Sequence, residues 1–483
     1  MHTLADMPVP VVCDPALEPI AAKVHAGERL TIEEGETLFA TPDIWTVCRL
    51  ADQVRRRLHG DVAYYNINRH LNYTNICALS CKFCEFRRSR GEAGAYEHSL
   101  DEVRAEARKA IAAGATEMHI VGGLHPYLPF EYYTDMVRAI REEAEAAARG
   151  LESPPPCLGE GFPAGCRGLS DDRSEGHDST PPRGLHAAAH RSDHGTPQAP
   201  GRLHIKAFTA VEIVHFAKIA KVYKQADPEP GIRWVLEQLK EAGLGSLPGG
   251  GAEVFDDRIH DEAFKGKIRS DVWLVVHRVA HQLGLNTNAT MLYGHIETPR
   301  DRLVHMDMLR RAQDEALTRL GYDADADGGV TLTGEGIELP TPALNTRGGY
   351  FQTITPLPFF PDGSALEHLP GPGGLENLRT LAICRLMLDN FPHVKAFWIM
   401  QTLGMAQLML QNGADDIDGT VVWYDITKLP QGAGEEAAGA THQETTVTDL
   451  QHAICEAGFE PIERDTLYRR VEREGERWWV AAD

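Results

Sequence analysis

The sequence predicts a (β/α)8 barrel of the TIM type, an α/β fold, preceded by helices and followed by a C-terminal extension. Two observations carry that prediction. Eight short strand-like runs alternate with amphipathic helical stretches, the pattern of a parallel barrel. The chain of 483 residues is also long enough to bury one large core. Composition removes competitors. With 42% hydrophobic and 24% charged residues, collagen-like, coiled-coil and disulfide-scaffold classes do not apply.

The elements follow in order. Residues 1–60 read as a helical segment, in which Ala21-Ala-Lys-Val24 leads into Gly27 and Thr31 caps a helix with glutamates in its first turn. The barrel is expected over 61–421, with strands at 62–67, 117–121, 204–208, 243–247, 286–291, 351–356, 394–398 and 416–420. Helices are expected at 100–113, 235–242, 272–283, 300–320 and 375–391. Residues 422–483 form the extension, packing on the barrel. Two stretches do not fit. Residues 151–202 hold eight prolines, eight glycines and four histidines in 52 positions, too little apolar bulk for a core, and read as a low-complexity insertion. Residues 322–348 read as a second. There Asp323-Ala-Asp-Ala-Asp327 imitates a calcium loop, but Gly334 stands where such a loop needs its twelfth-position glutamate.

Charge narrows the partners. With 48 basic and 70 acidic residues the net charge is −22, which repels nucleic acid and anionic membranes at long range. No apolar run is long enough to span a bilayer, and no basic-then-apolar leader opens the chain, so a soluble cytoplasmic protein is expected. Six of the nine cysteines are scattered, as unpaired thiols of a reducing compartment would be. The other three cluster as Cys77-Ala-Leu-Ser-Cys81-Lys-Phe-Cys84, after the first predicted strand, where barrel active sites are built. Thiolates suit zinc or an iron–sulfur cluster. A structural zinc site wants four protein ligands, usually as two separated pairs, and there is no second pair. Three thiolates on a four-iron cluster would leave one iron open to a small molecule.

The strand pleat adds a polar interior. His204 and Lys206 point inward if Ile205 and Ala207 face the helices, and Glu117 with His119, and Asn286, Asn288 and Thr290, repeat the pattern. Branched apolar side chains normally fill a barrel, so these are either satisfied core polar residues or, as a set, a ligand cavity. Glycine-rich turns at Val121-Gly-Gly-Leu-His-Pro126 and Gly245-Ser-Leu-Pro-Gly-Gly-Gly-Ala-Glu253 let backbone approach a ligand closely. Tyr293, His295 and Glu297 fall at the expected barrel mouth, as candidate catalytic groups or as capping and packing residues. Thr441-His-Gln-Glu-Thr-Thr446 reads as a further candidate cluster or a surface loop.

At Cys77-x3-Cys81-x-Phe83-Cys84 the chain resembles the radical S-adenosylmethionine (SAM) superfamily. The resemblance implies a [4Fe-4S] cluster on Cys77, Cys81 and Cys84, with SAM chelated to the open iron and cleaved to a 5′-deoxyadenosyl radical. It further implies cofactor contacts from Phe83, Gly122, Gly123, Glu253, Asn288 and Thr290. Gly122 and Gly123 match the segment receiving the methionine amino group, and Glu253 matches a position near the nucleoside. Asn66-Ile-Asn-Arg-His-Leu-Asn-Tyr-Thr-Asn75, His204-Ile-Lys-Ala-Phe-Thr-Ala-Val-Glu-Ile213, Asn390-Phe-Pro-His-Val-Lys-Ala396 and Gly413-Ala-Asp-Asp-Ile-Asp-Gly-Thr420 narrow the resemblance to aminofutalosine (aminodeoxyfutalosine) synthases. It runs from about residue 13 to 471, apart from the two insertions, and departs at Val421-Val-Trp-Tyr-Asp-Ile-Thr, where relatives place glutamate.

That family implies the futalosine route of menaquinone biosynthesis. The adenosyl radical would add to the enolpyruvyl double bond of carboxyvinyloxybenzoate, and rearrangement with decarboxylation would give aminofutalosine. SAM is then a consumed co-substrate, and a low-potential donor such as flavodoxin or ferredoxin supplies the electron. Arg69, His70 and Lys206 are expected to meet the substrate carboxylates. The nearby alternatives are a cyclic dehypoxanthine futalosine synthase and a deazaflavin (FO) synthase. A distant one is a non-catalytic metal-binding protein.

Overall fold

The computed structural model describes residues 12–151, 201–332, 348–420 and 445–482. Helices α1 (Glu18–Ala26), α2 (Ile32–Ala40) and α3 (Ile44–His59) come first. Helix α1 stops at Gly27, whose φ of 69° favours glycine. At the start of α2 the Thr31 hydroxyl accepts from the Glu34 N–H and the Glu34 carboxylate accepts from the Thr31 N–H. This reciprocal cap satisfies two donors that the helix leaves over.

Strands β1 (Val62–Asn66) and β2 (Asn68–Leu71) make one bent stave. The chain then alternates through α4 (Leu100–Ala112), β3 (Glu117–Ile120), α5 (Phe130–Leu151), β4 (His204–Ala207), α6 (Ala210–Ile219), α7 (Glu229–Ala242) and β5 (Ser246–Leu247). It continues through α8 (Asp257–Ala263), α9 (Ser270–Gln282), β6 (Asn286–Tyr293), α10 (Pro299–Arg319), β7 (Phe351–Pro358), α11 (Gly374–Met387) and β8 (His393–Val394). Last come α12 (Trp398–Gln401), α13 (Leu403–Leu410), β9 (Asp416–Gly419), α14 (Val447–Glu456), β10 (Glu460–Glu463), and the hairpin of β11 (Val471–Glu474) and β12 (Arg477–Val480).

Strands β2 to β8 form one parallel sheet in chain order. A parallel bridge from Lys395 to Asp416 joins this sheet to β9, and β9 pairs with β1. Eight staves therefore ring the lumen, the TIM-type arrangement that the sequence predicts. Met118, Ile120, Ile205, Ala207, Ala289 and Met291 belong to the main apolar core on the alternate positions. Thr287 follows them outward and meets His281 of α9 at 2.8 Å.

Several expected elements differ. The first strand bends at Ile67, so its two halves pair with different neighbours, and the cysteine loop leaves from Leu71. The strand expected at 394–398 ends at Val394, and Trp398 opens a helix while its indole N–H donates to the Gly419 carbonyl. The strand at 243–247 shrinks to two residues, because Gly243 (φ 126°) is still ending α7. Of the second insertion, Val330 and Leu332 are buried, and the Asp325 carboxylate accepts the N–H groups of Asp327 and Gly329 in a closed turn. Residues 152–200, 333–347 and 421–444 lie outside the described residues, and with them most of the first insertion, the departure at 421–427 and residues 441–444.

The extension continues the barrel wall. Strand β10 pairs with β1 in parallel, from Val62↔Glu460 to Tyr65↔Glu463. Beyond it, Arg464 is 1% exposed and places Nε 2.7 Å and Nη2 2.6 Å from the Asp416 carboxylate, which also accepts the Tyr468 hydroxyl at 2.6 Å. Among the described residues no helix is long and apolar enough to cross a membrane.

Candidate active site

A cavity of about 310 Å³ runs from the cysteine loop into the lumen, the size of a small-molecule site. Cys77, Cys81 and Cys84 line it, half-buried and free of disulfides. The loop that carries them is tied to the turn after β3, with Gly123 N–H donating to Thr74 O at 2.8 Å and Ala78 N–H to Leu124 O at 3.0 Å. Close approach explains the paired glycines. A Cβ on Gly122 would stand 2.7 Å from the Tyr73 ring, and one on Gly123 2.7 Å from the Ile76 carbonyl carbon. The Gly122 N–H donates to Glu212, which also accepts the Tyr73 hydroxyl at 2.7 Å and caps α6 through Thr209. Burial pushes the Glu212 carboxyl up to about 7, against these donors.

Three further groups gather beside the cysteines. Glu253 lines the cavity with a φ of 49°, strained for a side chain of its size, and forms an ion pair with Lys267. The Lys267 ammonium lies 4.9 Å over the ring of Phe83, which also lines the cavity. Burial works to lower its pKa, but the Glu253 carboxylate outweighs that and holds it above the lysine range. Burial pushes the Cys81 thiol up to about 11, so without a metal it stays protonated at pH 7.

The deeper part of the cavity is the polar floor. Paired in register, His70, His119 and Lys206 stand side by side on β2, β3 and β4, with the two imidazoles stacked at 4.5 Å. Lys206 is 2.7 Å from Glu117, and Lys395 is 2.7 Å from Asp418. Asn288, Thr290 and Thr355 complete the wall on β6 and β7. Burial lowers His70 to about 4 and His119 further, so both rings are neutral at pH 7.

The cavity thus gathers every cysteine, glycine, Phe83, Glu253, Asn288, Thr290, His70 and Lys206 expected of it. Four other expectations need correction. Arg69, one residue out of phase with His70, turns to the helix side and stands 3.6 Å from Glu106 of α4. The Tyr293 hydroxyl is held by Asn377 and Gln401, away from the cavity. Glu297 accepts the N–H groups of Gly294 and His295 and pairs with Arg302, while the His295 ring sits 3.1 Å from the Leu292 carbonyl. With side chains at most 1% exposed, His295 and Glu297 brace the entry to α10 and touch no ligand space. Sequence reasoning missed Lys267, Lys395, Thr355 and Asp418. The alternation His393, Lys395 and Asp416, Asp418 was the available signal for two of them.

Comparison with known proteins decides what this site belongs to. Residues 71–160 match the model of the radical SAM superfamily, and 349–475 that of the CofH/MqnC C-terminal region. Over 462 residues the chain is 37% identical to the aminodeoxyfutalosine synthase of Thermus thermophilus, covering 95% of this chain and 96% of that protein. The chain belongs to the aminodeoxyfutalosine synthase family. This radical SAM enzyme is also 35% identical to the aminodeoxyfutalosine synthase of Streptomyces coelicolor, over 92% of each. Its fold is shared with methylornithine synthase (PylB), at a TM-score of 0.56, 15% identity, and coverage of 91% of this chain and 96% of that one. The residues present fit the cofactors of such an aminodeoxyfutalosine synthase relative. Three free thiols on one loop suit a [4Fe-4S] cluster, and the glycine turn leaves beside them a cradle that a Cβ would fill.

Proposed function

We propose that the chain joins the 5′-deoxyadenosyl group of SAM to carboxyvinyloxybenzoate, with rearrangement and decarboxylation, to give aminofutalosine on the futalosine route to menaquinone. One observation supports this reading beyond family membership: a single cavity connects the three cysteines to a floor where the Lys206 and Lys395 ammoniums, each paired with one acid, still have N–H donors to offer an anionic substrate. When bound, the cluster on Cys77, Cys81 and Cys84 supplies the electron that cleaves SAM, drawn from a donor such as flavodoxin or ferredoxin.

The chain's own residues bind, orient and exclude water. Gly122 and Gly123 leave room for the methionine end of SAM, and Glu212 holds that turn from behind. Glu253, with Phe83 and Lys267 beside it, borders the adenosyl end. Asn288 and Thr290 face the same space, with Thr290 steadied by its 2.7 Å bond to the Gly249 carbonyl. Lys206 and the neutral His70 receive the substrate, while Arg69 lies outside the cavity. The apolar rim of Leu79, Val211, Leu357 and Phe397 keeps bulk water from the reacting ends.

The test is to incubate reconstituted enzyme with SAM, reductant and carboxyvinyloxybenzoate, and to look by mass for an adenine nucleoside covalently joined to the benzoate. Wild type forms it, and Cys81→Ala, which loses the four-iron absorbance, does not. Free 5′-deoxyadenosine as the only nucleoside product rejects the reading in favour of a hydrogen-abstracting relative.

A further inference from the structure

We propose that the floor of the cavity is a two-ended carboxylate receptor, in which Lys206 takes one carboxylate of a dianionic ligand and Lys395 takes the other; this rests on the substrate reading above. Lys206 stands on β4 and Lys395 directly follows β8, so they lie on opposite sides of a ring of eight staves. Both line the same cavity, and they are 3% and 5% exposed. Each ammonium has one ion-pair partner, Glu117 or Asp418. An ammonium carries three N–H donors. Two on each lysine therefore remain that no described residue takes, in a place where an unmet donor is costly.

The acidic partners do not cancel the site. Glu117 and Asp418 each hold one ammonium in place, 2.7 Å away, and leave its other donors free. Between the two lysines one side of the wall is uncharged, formed by Asn288, Thr290 and Thr355, and the other carries the neutral His70 and His119 beside the two acids, Glu117 and Asp418, that the lysines already engage. Two ammoniums set across the lumen from one another, each with donors to spare, match a ligand with a carboxylate at each end. An amino acid would set its own ammonium against one of the lysines.

Isothermal titration calorimetry of the cluster-loaded enzyme with SAM present tests this. The probe is 3-(1-carboxyethoxy)benzoate, the saturated counterpart of the proposed substrate, a dianion without the reactive double bond. Lys206→Met and Lys395→Met should each weaken it about tenfold or more. Two monoanions then assign the poles: 3-ethoxybenzoate keeps only the ring carboxylate, and 2-phenoxypropionate only the side-chain one. Each should respond to the loss of one lysine and ignore the other. Because a single variant strands its acid, Lys395→Met/Asp418→Asn removes that pair together, and iron–sulfur absorbance reports folding. Dianion affinity unchanged in either variant, or both monoanions weakened alike by both, overturns the proposal. If wild type makes the nucleoside adduct while the variants keep full affinity, only the two-pole inference fails. If wild type neither makes the adduct nor binds the dianion, the substrate reading falls with it.

Discussion

Parity along a strand decides which side chains can act. On β6, Asn288 and Thr290 face the lumen, so Tyr293, an odd number of residues on, faces away, and Arg69 is excluded by His70 in the same manner. The cysteines and the inward His204, Lys206, Asn288 and Thr290 were legible from spacing and pleat, and the paired glycines through the family resemblance. Lys395 was not, since it follows a two-residue strand, and Asp418 was passed over although it alternates with Asp416 on an expected strand. The glycine turn yields the prediction that belongs at this scale. In Gly123→Ala the new methyl meets the Ile76 backbone, which must move and take Cys77 with it. SAM affinity, measured by equilibrium binding, should fall about tenfold or more, with reduced iron retention. Wild-type affinity in that variant would separate the turn from the cofactor.

Among the elements, helices such as α4, α9, α10 and α11 were predictable, α5 was not named, and a strand was expected at each two-residue strand but over too long a run. Strands β5 and β8 exist because their neighbours offer ladder partners, not because their own residues insist on it. Strand β10 is harder still, as Glu-Pro-Ile-Glu buries only Ile462. Its anchor is the residue after it. Arg464→Met would leave Asp416 as a buried carboxylate without its cation, holding only the Tyr468 hydroxyl and the Asp418 N–H, costing about 3–5 kcal/mol in urea unfolding. Arg464→Lys should recover part of that. A loss below about 1 kcal/mol would mean that β10 is held by its backbone pairing alone.

Acid response is a property of the whole molecule. Burial holds His59, His281 and His305 down to about 3, and His70 and His204 to about 4. Unfolded, these imidazoles take up protons near pH 6.5; folded, they do not until pH 3–4. Their contribution to stability is therefore complete above pH 6.5 and is lost as the pH falls toward 4, at about 1.4 kcal/mol per imidazole per pH unit. Calorimetry from pH 7.5 to 5 should show Tm falling steadily, although the −22 charge is being relieved over the same range. A flat Tm would contradict it. The eightfold alternation made the barrel readable at this scale, but the way its ring closes was hidden, because pairing across so long a stretch of chain leaves no local trace. That closure also sets a timetable. Strand β1 is among the first parts of the barrel to leave the ribosome, yet its two partners, β9 and β10, are among the last. Until Asp416 arrives, the β1 half of the first stave waits with both edges bare, and one edge stays open until Glu460 stands opposite Val62, so a nascent chain carries an open strand through most of its own synthesis.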